Sequence, residues 1–521
     1  MPGFAAPAEL RETHTGLVVL YGDRAYKVKK AVRTDFLDFS TPQLREHACA
    51  RELELNRRLA PDVYLGLAHL SDPSGSPAEP LLVMRRMPED GRLSNILADQ
   101  AKSTAELSAL AQMLASFHDR ARRGPEIDAE GTADALRHRW QVLLGSLAEQ
   151  RADVADPDLL DRIDRLAMRY IDGREPLLNN RIADGHIVDG HGDLQAEDIF
   201  ELADGFRILD CLDFDDRLRY VDRLDDLAFL AMDLEFRGHT ELGERLLDDY
   251  QRITEDPAPA SLRDHYVAYR ALVRAKVDII RFGQGESTAR DRMHRHLWLA
   301  LRHLERAAVR LVLVGGSPGT GKSTVAVELS ASTGAVLLSS DHVRKQLRGT
   351  GEVTGSIGTF GAGTYSAAGK ARVYTELRSR AQKLLALGHS VILDASWIDA
   401  DERQRAATLA AEANADLLQL RCHCPPSVAE RRIRLRGDGD SDATPQIAAD
   451  MSAIAAVWPQ ALPVDTGLML ADTTAVALCA WHNIIHTERQ GASVTNQGSN
   501  SDPRSRTPPY AECMLRGDTA Q

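Results

Sequence analysis

The chain has 521 residues, of which 43% are hydrophobic and 27% charged, and its formal net charge is -13. This length exceeds what one hydrophobic core usually serves, so we expect two globular domains plus extra segments. The acidic balance argues against nucleic acid as the main partner, because a phosphate backbone requires a basic surface. No stretch approaches the roughly 20 apolar residues that span a bilayer and no signal peptide is recognisable, so we expect a cytoplasmic protein without a membrane partner.

The first part of the chain predicts a small sheet with one helix, followed by a long helical region. Alternating, β-rich segments at Gly16–Tyr21 and 25–29 flank a Gly-Asp turn. Helical spacing follows over 43–59, and an apolar strand over 81–87. Helices dominate from about residue 104 onward. We expect these segments to belong to one domain over residues 1–305.

Acidic loops lie around two short predicted strands in the helical region. The tetrapeptide His-Gly-Asp-Leu at 191–194 precedes the second of these strands, and Leu-Asp-Cys-Leu-Asp-Phe at 209–214 ends it. An Asp-Asp pair at 225–226 then begins a predicted helix. Phosphoryl transfer needs one carboxylate to orient the acceptor hydroxyl and others to hold Mg²⁺ between the phosphates. The two loops therefore favour this chemistry.

These residues resemble the aminoglycoside-phosphotransferase-like branch of the protein-kinase fold, over about residues 12–304. The resemblance implies Asp193 as the catalytic base and Asp213 as the main metal ligand. It also implies Asp226 as an acid that braces the catalytic loop. The resemblance implies that the domain, residues 1–305, has a two-lobed α+β fold and binds ATP with Mg²⁺.

The same resemblance implies a strand lysine that pairs with a helix glutamate, Glu52. Lys27 and Lys29 point to the same face of an alternating strand, so periodicity does not separate them. Ala25 lies two positions before Lys27, and kinase strands commonly have a small residue at that position. We therefore favour Lys27 as the cofactor-binding lysine.

One position departs from the family pattern. The asparagine expected five residues after Asp193 is Asp198 in this chain. Aspartate also binds Mg²⁺, so Asp198 stays in the predicted metal set with Asp213, but its charge can raise a neighbouring carboxyl pKa. The alternative is a degenerate kinase-like domain that binds nucleotide or a partner without transferring phosphate.

From residue 309 onward strands alternate with helices, which predicts a parallel sheet with helices on both faces over residues 306–487. A GxxxxGK[ST] motif lies between the first apolar strand and the first helix. Glycines let backbone N–H groups wrap phosphates, the lysine reaches the β- and γ-phosphates, and the last hydroxyl binds Mg²⁺. The predicted cradle consists of Gly316, Ser317, Pro318, Gly319, Thr320, Gly321, Lys322 and Ser323.

Three further features of this domain fit a kinase. Asp341 follows the second strand, where a carboxylate can accept a hydroxyl proton, and Asp394 ends an apolar strand, where a magnesium carboxylate is usual. Arg432 and Arg436 belong to an arginine-rich helix that can close over a triphosphate. Each aspartate has the alternative of a helix cap or a solvated loop acid, and the arginines that of a solvated face.

This second domain resembles the small P-loop kinases of the zeta-toxin and polynucleotide-kinase type over about residues 309–474, which implies Asp341 as its base. In this order, the two halves are similar to bacterial, actinobacterial-type fusions of an aminoglycoside-phosphotransferase-like domain with an AAA-type ATP-binding domain. Residues 488–521 are rich in Ser, Asn, Gly and Pro and are expected to be disordered.

The sequence thus predicts an α/β multidomain phosphotransferase that moves the γ-phosphate of ATP to a hydroxyl group of a small molecule. The alternative is a single-activity P-loop kinase or ATPase that a degenerate N-terminal domain regulates. A nucleic-acid end kinase is disfavoured by the acidic charge. The sequence carries no signal for an oligomeric state.

Overall fold

The computed structural model describes residues 8–12, 16–33, 38–71, 79–97, 100–150, 156–350, 366–435, 445–454 and 456–491. The chain divides into two compact units. The first comprises Met1–Met168, Leu178–Ala258 and Leu262–Arg306, and the second comprises Arg169–Leu177, Pro259–Ser261 and Ala307–Gln521. Of the predicted tail, residues 488–491 are helical, and 492–521 lie outside the described residues.

The first unit begins with a five-stranded antiparallel sheet of order β1-β2-β3-β5-β4. Its strands are β1 (Glu9–Glu12), β2 (Gly16–Tyr21), β3 (Arg24–Lys29), β4 (Tyr64–Leu70) and β5 (Glu79–Arg85). Helix α1 (Pro42–Asn56) starts at Thr41, whose hydroxyl accepts the amide of Leu44, with proline in the first turn. Buried Cys49 of α1 joins Leu82 and Met84 of β5 in one apolar core. This packing holds α1 against the sheet.

The chain between this sheet and the second unit is mainly helical. Its helices are α2 (Leu93–Ile96), α3 (Gln100–Arg120), α4 (Pro125–Asp128), α5 (Ala133–Gln150), α6 (Pro157–Gly173), α7 (Glu175–Ala183), α8 (Arg223–Phe236), α9 (Thr240–Thr254), α10 (Ala260–Gly283) and α11 (Ala289–Ala307). Two small antiparallel pairs lie between α7 and α8, and they are β6 (Ile187–Asp189) with β9 (Tyr220–Asp222) and β7 (Ile199–Leu202) with β8 (Gly205–Ile208). Helix α8 is buried from Arg223 to Leu234, so it forms the centre of this lobe.

The second unit contains a five-stranded parallel sheet of order β11-β12-β10-β13-β14. The strands are β10 (Arg310–Gly315), β11 (Val336–Ser339), β12 (Val391–Asp394), β13 (Asp416–His423) and β14 (Leu462–Asp465). The helices are α12 (Lys322–Thr333), α13 (Ser340–Gly349), α14 (Ala367–Ala386), α15 (Ala400–Glu412), α16 (Pro426–Leu435), α17 (Pro445–Ile454) and α18 (Leu470–Gly491). Buried Val312, Val314, Ile392 and Leu420 form the core of the sheet on the side of α12.

The predicted fold class is confirmed in both halves: an antiparallel sheet with one helix and a helical lobe comes first, and a parallel P-loop sheet follows. Through the described residues, none of the helices has both the length and the apolar character needed to cross a membrane.

Candidate active sites

Strand β3 and helix α1 bring together both candidate lysines and the candidate glutamate. Glu52 is buried, with Oε1 2.8 Å from Lys27 Nζ and Oε2 2.8 Å from Lys29 Nζ. Each lysine also binds a second carboxylate: Lys27 Nζ lies 2.8 Å from Asp210 Oδ1, and Lys29 Nζ lies 2.9 Å from Asp213 Oδ2. Burial lowers the pKa of Lys27, but Asp210 and Glu52 outweigh it, so both strand lysines are cations.

Asp210 lies two residues after the end of β8 and has an unusual backbone conformation. Its φ is 60°, in the left-handed region that aspartate tolerates better than most residues. The charge of Lys27 lowers the pKa of Asp210, whereas burial raises the pKa of Asp213. Asp210 is therefore the ionised carboxylate beside Lys27. The sequence analysis gave the metal role to Asp213 and did not single out Asp210.

The loop that carries Asp193 is held by acids of helix α8. Asp226 accepts the backbone amides of His191 at 2.7 Å and Gly192 at 2.8 Å, and it contacts His118 Nε2 at 3.1 Å. Burial raises the pKa of Asp226, but the hydrogen bond from His118, its charge and the backbone amide of His191 lower it by more. The net pKa is lower than usual, so Asp226 is ionised. The loop is thus fixed by charge-assisted hydrogen bonds in a buried setting.

His191 itself packs inside the loop. Its ring is buried, its Nε2 lies 3.1 Å from the carbonyl oxygen of Leu209, and burial lowers its pKa to about 4. The neutral, buried imidazole links the two loops and does not take up or release a proton near neutral pH.

Asp193 and Asp198 are both hard to ionise. Burial raises the pKa of Asp193 to about 6, against the opposing charge of Arg274, and its Oδ1 accepts a 2.9 Å hydrogen bond from Gln195. Burial and the charges of Asp210 and Asp193 raise the pKa of Asp198 well above its usual range. Asp198 is therefore harder to ionise than an exposed aspartate. Among the described residues no three His, Cys, Asp or Glu side chains are preassembled around one metal position.

The two strand lysines, Glu52 and the acids of the two loops line one cavity of the first unit, with a volume of about 1630 Å³. Its lining includes Lys27, Asp193, Asp198, Asp210 and Asp213. Helices α5, α10 and α11 contribute another part of the wall, rich in arginine. The cavity therefore joins the ionic cluster to a surface on which an acceptor can rest.

The loop between β10 and α12 has the backbone geometry of a phosphate cradle. Gly316, Gly319 and Gly321 have φ of 143°, 80° and 79°. A Cβ on Gly316 would lie 2.6 Å from the carbonyl oxygen of Cys422, and one on Gly319 would lie 2.5 Å from that of Ala429. Only glycine fits such positions. The cradle leads into the N-terminus of α12, and a helix N-terminus favours binding of an anion.

The cradle is braced from within and opens into a cavity. Thr320 Oγ1 donates a 2.7 Å hydrogen bond to the carbonyl of Ser317, and the amide of Gly316 donates to the carbonyl of Ser396 at 3.2 Å. Gly316, Ser317, Pro318 and Thr320 line a cavity of about 780 Å³. Lys322 and Ser323 are the first two residues of α12, next to this loop.

The candidate acids lie at the same edge of the parallel sheet. Asp394 pairs in register with Val314 of β10 and Ser339 of β11, so it lies beside the strand that enters the cradle. Burial raises the pKa of the Cys422 thiol to about 12, Lys322 lowers it and Asp394 raises it, which places both groups near this thiol. Asp341, in the first turn of α13, forms an ion pair with Arg344.

Arg432 of helix α16 reaches the cradle. Its Nη2 donates to the carbonyl of Thr466 at 2.8 Å, and its Nη1 lies 3.4 Å from a Cβ built on Gly321. Thr466 Oγ1 in turn donates to the carbonyl of Thr320 at 2.6 Å. The sequence analysis missed Thr466, although its position directly after β14 was a usable signal. Arg436, the other candidate of that helix, lies outside the described residues.

Comparisons with known proteins agree with this architecture. A family model described as an AAA domain matches residues 311–457. The uncharacterized proteins Rv2004c of Mycobacterium tuberculosis (strain ATCC 25618 / H37Rv) and Mb2027c of Mycobacterium bovis are each 48% identical to the chain over 478 residues, 92% of this chain and 96% of theirs.

Two solved kinases show weaker likeness. A choline/ethanolamine kinase family protein from Mesorhizobium loti is 15% identical, covers 58% of this chain and 94% of its own, and has a TM-score of 0.36. The APS kinase CysC of Mycobacterium tuberculosis is 20% identical, covers 33% and 97%, and has a TM-score of 0.26. The fold assignment therefore rests on the strand order and loop geometry described above.

The identity to the mycobacterial proteins extends over nearly the whole of both chains. The chain therefore belongs to the same protein family as Rv2004c and Mb2027c, and an AAA domain occupies residues 311–457 of its second unit.

Proposed function

We propose that the protein is an ATP-dependent phosphotransferase with one nucleotide site in each unit, and that it transfers the γ-phosphate of ATP to a hydroxyl group of a small molecule. The observation that carries this proposal in the first unit is Lys27, ion-paired to both Glu52 and Asp210, in one cavity with the braced Asp193. A lysine held by two carboxylates is fixed in place to meet a phosphate.

In the first unit Asp193 is the proposed base. Its carboxylate takes the proton of the acceptor hydroxyl, and the hydrogen bonds of Asp226 keep its loop in place. Lys27 binds phosphate oxygens. We assign the principal metal carboxylate to Asp210 instead of Asp213, because Asp210 pairs with the proposed phosphate-binding Lys27 and its pKa is lowered, whereas the pKa of Asp213 is raised. Asp198 remains the second proposed metal ligand, beside Asp210.

In the second unit the backbone amides of the cradle and Lys322 bind the phosphates, and Arg432 adds a cation over Gly321. Ser323 and Asp394 are suited to Mg²⁺, because a hydroxyl at the helix start and a carboxylate of the neighbouring strand lie at one sheet edge. Mg²⁺, when bound, neutralises charge on the phosphate oxygens. Asp341 is the proposed base, and Arg344 orients it.

The alternative, a first unit that binds nucleotide without transferring phosphate, depended on Asp198. The raised pKa of Asp198 argues against that alternative, because it disfavours a charge on Asp198 beside Asp193. The arrangement of Lys27, Glu52 and Asp210 also keeps the features that transfer requires.

The test is transfer of labelled phosphate from ATP to a bacterial metabolite extract. We expect Lys322→Ala to abolish one part of the transfer and Asp193→Ala the other, each by at least about 100-fold for its own site. Lys383→Ala and Asp204→Ala, at exposed positions away from both cavities, serve as matched controls. Transfer by the double variant at the wild-type rate would show that neither site does this chemistry.

A further inference from the structure

The wall that α5, α10 and α11 contribute to the large cavity is basic. Its charged side chains include Arg139 on α5, Arg270, Arg274 and Lys276 on α10, and Arg292 and Arg295 on α11. Asp278 is the acid that these three helices add to the lining, among the residues that the structure describes. The chain as a whole is acidic, at -13, so this local excess of cations runs against its composition.

Some of these cations are already neutralised. Arg270 binds Asp225 through two hydrogen bonds of 2.8 and 3.0 Å. Arg292 lies 2.9 Å from Asp278 Oδ1, and His296 lies 2.9 Å from Asp278 Oδ2. These pairs are structural, and they use the one acid of the wall.

The others have no acidic partner among the described residues. Arg274 and Lys276 are half-buried and make no hydrogen bond or ion pair with a described side chain. Arg139 donates through Nη2 to the carbonyl of Glu130 at 3.0 Å, while its buried Nε has no partner in the described part of the chain. Half-buried cations that no ion pair occupies can bind an anionic ligand.

Arg274 also interacts electrostatically with the proposed base. It is the cation whose charge acts most strongly on Asp193, and both residues line the same space. Lys27 and Lys29, which pair with Glu52, also line the cavity. They provide the cations for the phosphates of ATP in the proposed function. An anion held by Arg274 would therefore sit beside the proposed base.

We infer that the acceptor of the first unit carries an anionic group, a phosphate or a carboxylate, which Arg274 binds, while Arg139 and Lys276 add positive charge to the wall of the same cavity. That the anion belongs to a phosphate acceptor rests on the proposed function. That an anion binds at this wall depends only on the cations. Guanidinium groups bind both anions through paired hydrogen bonds. A polycationic aminoglycoside would face like charges on this wall, so the family resemblance does not extend to that substrate class.

The anion site is tested first by binding. The full chain with Lys322→Ala is saturated with Mg²⁺ and a non-hydrolysable ATP analogue, so that the nucleotide phosphates are in place, and is titrated calorimetrically with inorganic phosphate. Arg274→Met should weaken phosphate binding about tenfold, the loss of one charge-assisted contact. Arg274→Lys, which keeps the charge, should weaken it less. Arg263→Met, on the same helix but outside the cavity, should leave it unchanged.

The acceptor is tested by fractionation. A bacterial metabolite extract is passed over an anion exchanger or a cation exchanger before labelled ATP and the Lys322→Ala protein are added. Acceptor activity should be removed by the anion exchanger and should pass through the cation exchanger. Activity that passes the anion exchanger, or phosphate binding that Arg274→Met leaves unchanged, would overturn the inference. Phosphate binding with the expected mutant pattern but no transfer to any fraction would leave the anion site standing and reject phosphotransfer by this unit.

Discussion

The protonation of single carboxyls sets the pH range of the first site. Burial raises the pKa of Asp193 to about 6, and Arg274 opposes this rise. A general base works only when ionised, so ATP turnover by the Lys322→Ala protein should increase with pH through about 6 and level off by about pH 7 to 8. Arg274→Met removes the opposing charge and should move the midpoint to higher pH.

The measurement is a pH profile of turnover from about pH 5 to 8 for the Lys322→Ala protein with and without Arg274→Met. Arg263→Met serves as the control for loss of an arginine from the same helix, and its midpoint should stay near 6. A flat profile across this range would contradict Asp193 as the base.

Asp198 gives a separate prediction, on stability. Its folded-state pKa lies well above the usual value, so the unfolded chain releases this proton first as pH rises. Above the unfolded-state pKa of about 4, each rise in pH therefore favours the unfolded chain until the folded-state pKa is passed. Asp198→Asn removes the titration and should stabilise the first unit at pH 8 but hardly at pH 4.

Urea unfolding of both proteins at the two pH values measures this difference. Asp204→Asn, on the exposed turn between β7 and β8, is the matched control and should show no such pH dependence. A variant that is less stable than the wild type at pH 8 would mean that the charge of Asp198 is needed for folding.

At the scale of elements, the turn between β10 and α12 depends on space as well as on backbone conformation. Gly319 lies three residues before α12 begins, and Gly334 directly follows its last residue. The two glycines have similar φ, 80° and 71°. A Cβ on Gly319 meets the carbonyl oxygen of Ala429 at 2.5 Å, whereas one on Gly334 has nothing within 4 Å. Gly319→Ala should therefore weaken ATP binding by at least about tenfold.

Gly334→Ala is the control for this variant, since it tests the strain of a positive φ alone. It should cost about 1 kcal/mol of stability and leave ATP binding unchanged. Calorimetric titration with ATP and thermal unfolding of the two variants separate the effects. Equal ATP affinity in both variants would mean that the close approach to Ala429 does not shape the cradle.

The elements also show how far the sequence leads. The strand over Gly16–Tyr21 and the cradle were predicted from periodicity and from glycine spacing, because both signals are local. The bond between Lys27 and Asp210 joins residues 183 positions apart and depends on the left-handed backbone of Asp210. Neither fact has a local pattern. For this reason the sequence pattern indicates Asp213, the acid before an aromatic residue, for the role that we propose for Asp210.

The basic wall of the cavity was also beyond the sequence. Arg139, Arg274 and Arg295 lie on three helices, and composition indicates only that the whole chain is acidic. That these side chains share a cavity follows from the packing of α5, α10 and α11, which helical periodicity does not specify.

At the scale of the whole molecule, the two proposed nucleotide sites lie in separate units. The ionic cluster around Lys27 belongs to the first unit, and the cradle around Lys322 to the second. Each site has its own cavity, lined only by residues of its own unit. We therefore predict that the wild-type chain binds two equivalents of ATP in the presence of Mg²⁺, and that Lys322→Ala and Asp210→Asn each bind one.

Asp210→Asn is suited to this experiment because asparagine also tolerates the left-handed backbone, so the variant removes charge without new strain. Asp213→Asn is its matched control and should still bind two equivalents, since Asp213 pairs with Lys29 and not with Lys27. Calorimetric stoichiometry distinguishes the proposals directly. If the wild type binds one equivalent and Lys322→Ala binds none, the first unit has no nucleotide site, and its ionic cluster serves the regulation of the P-loop domain instead.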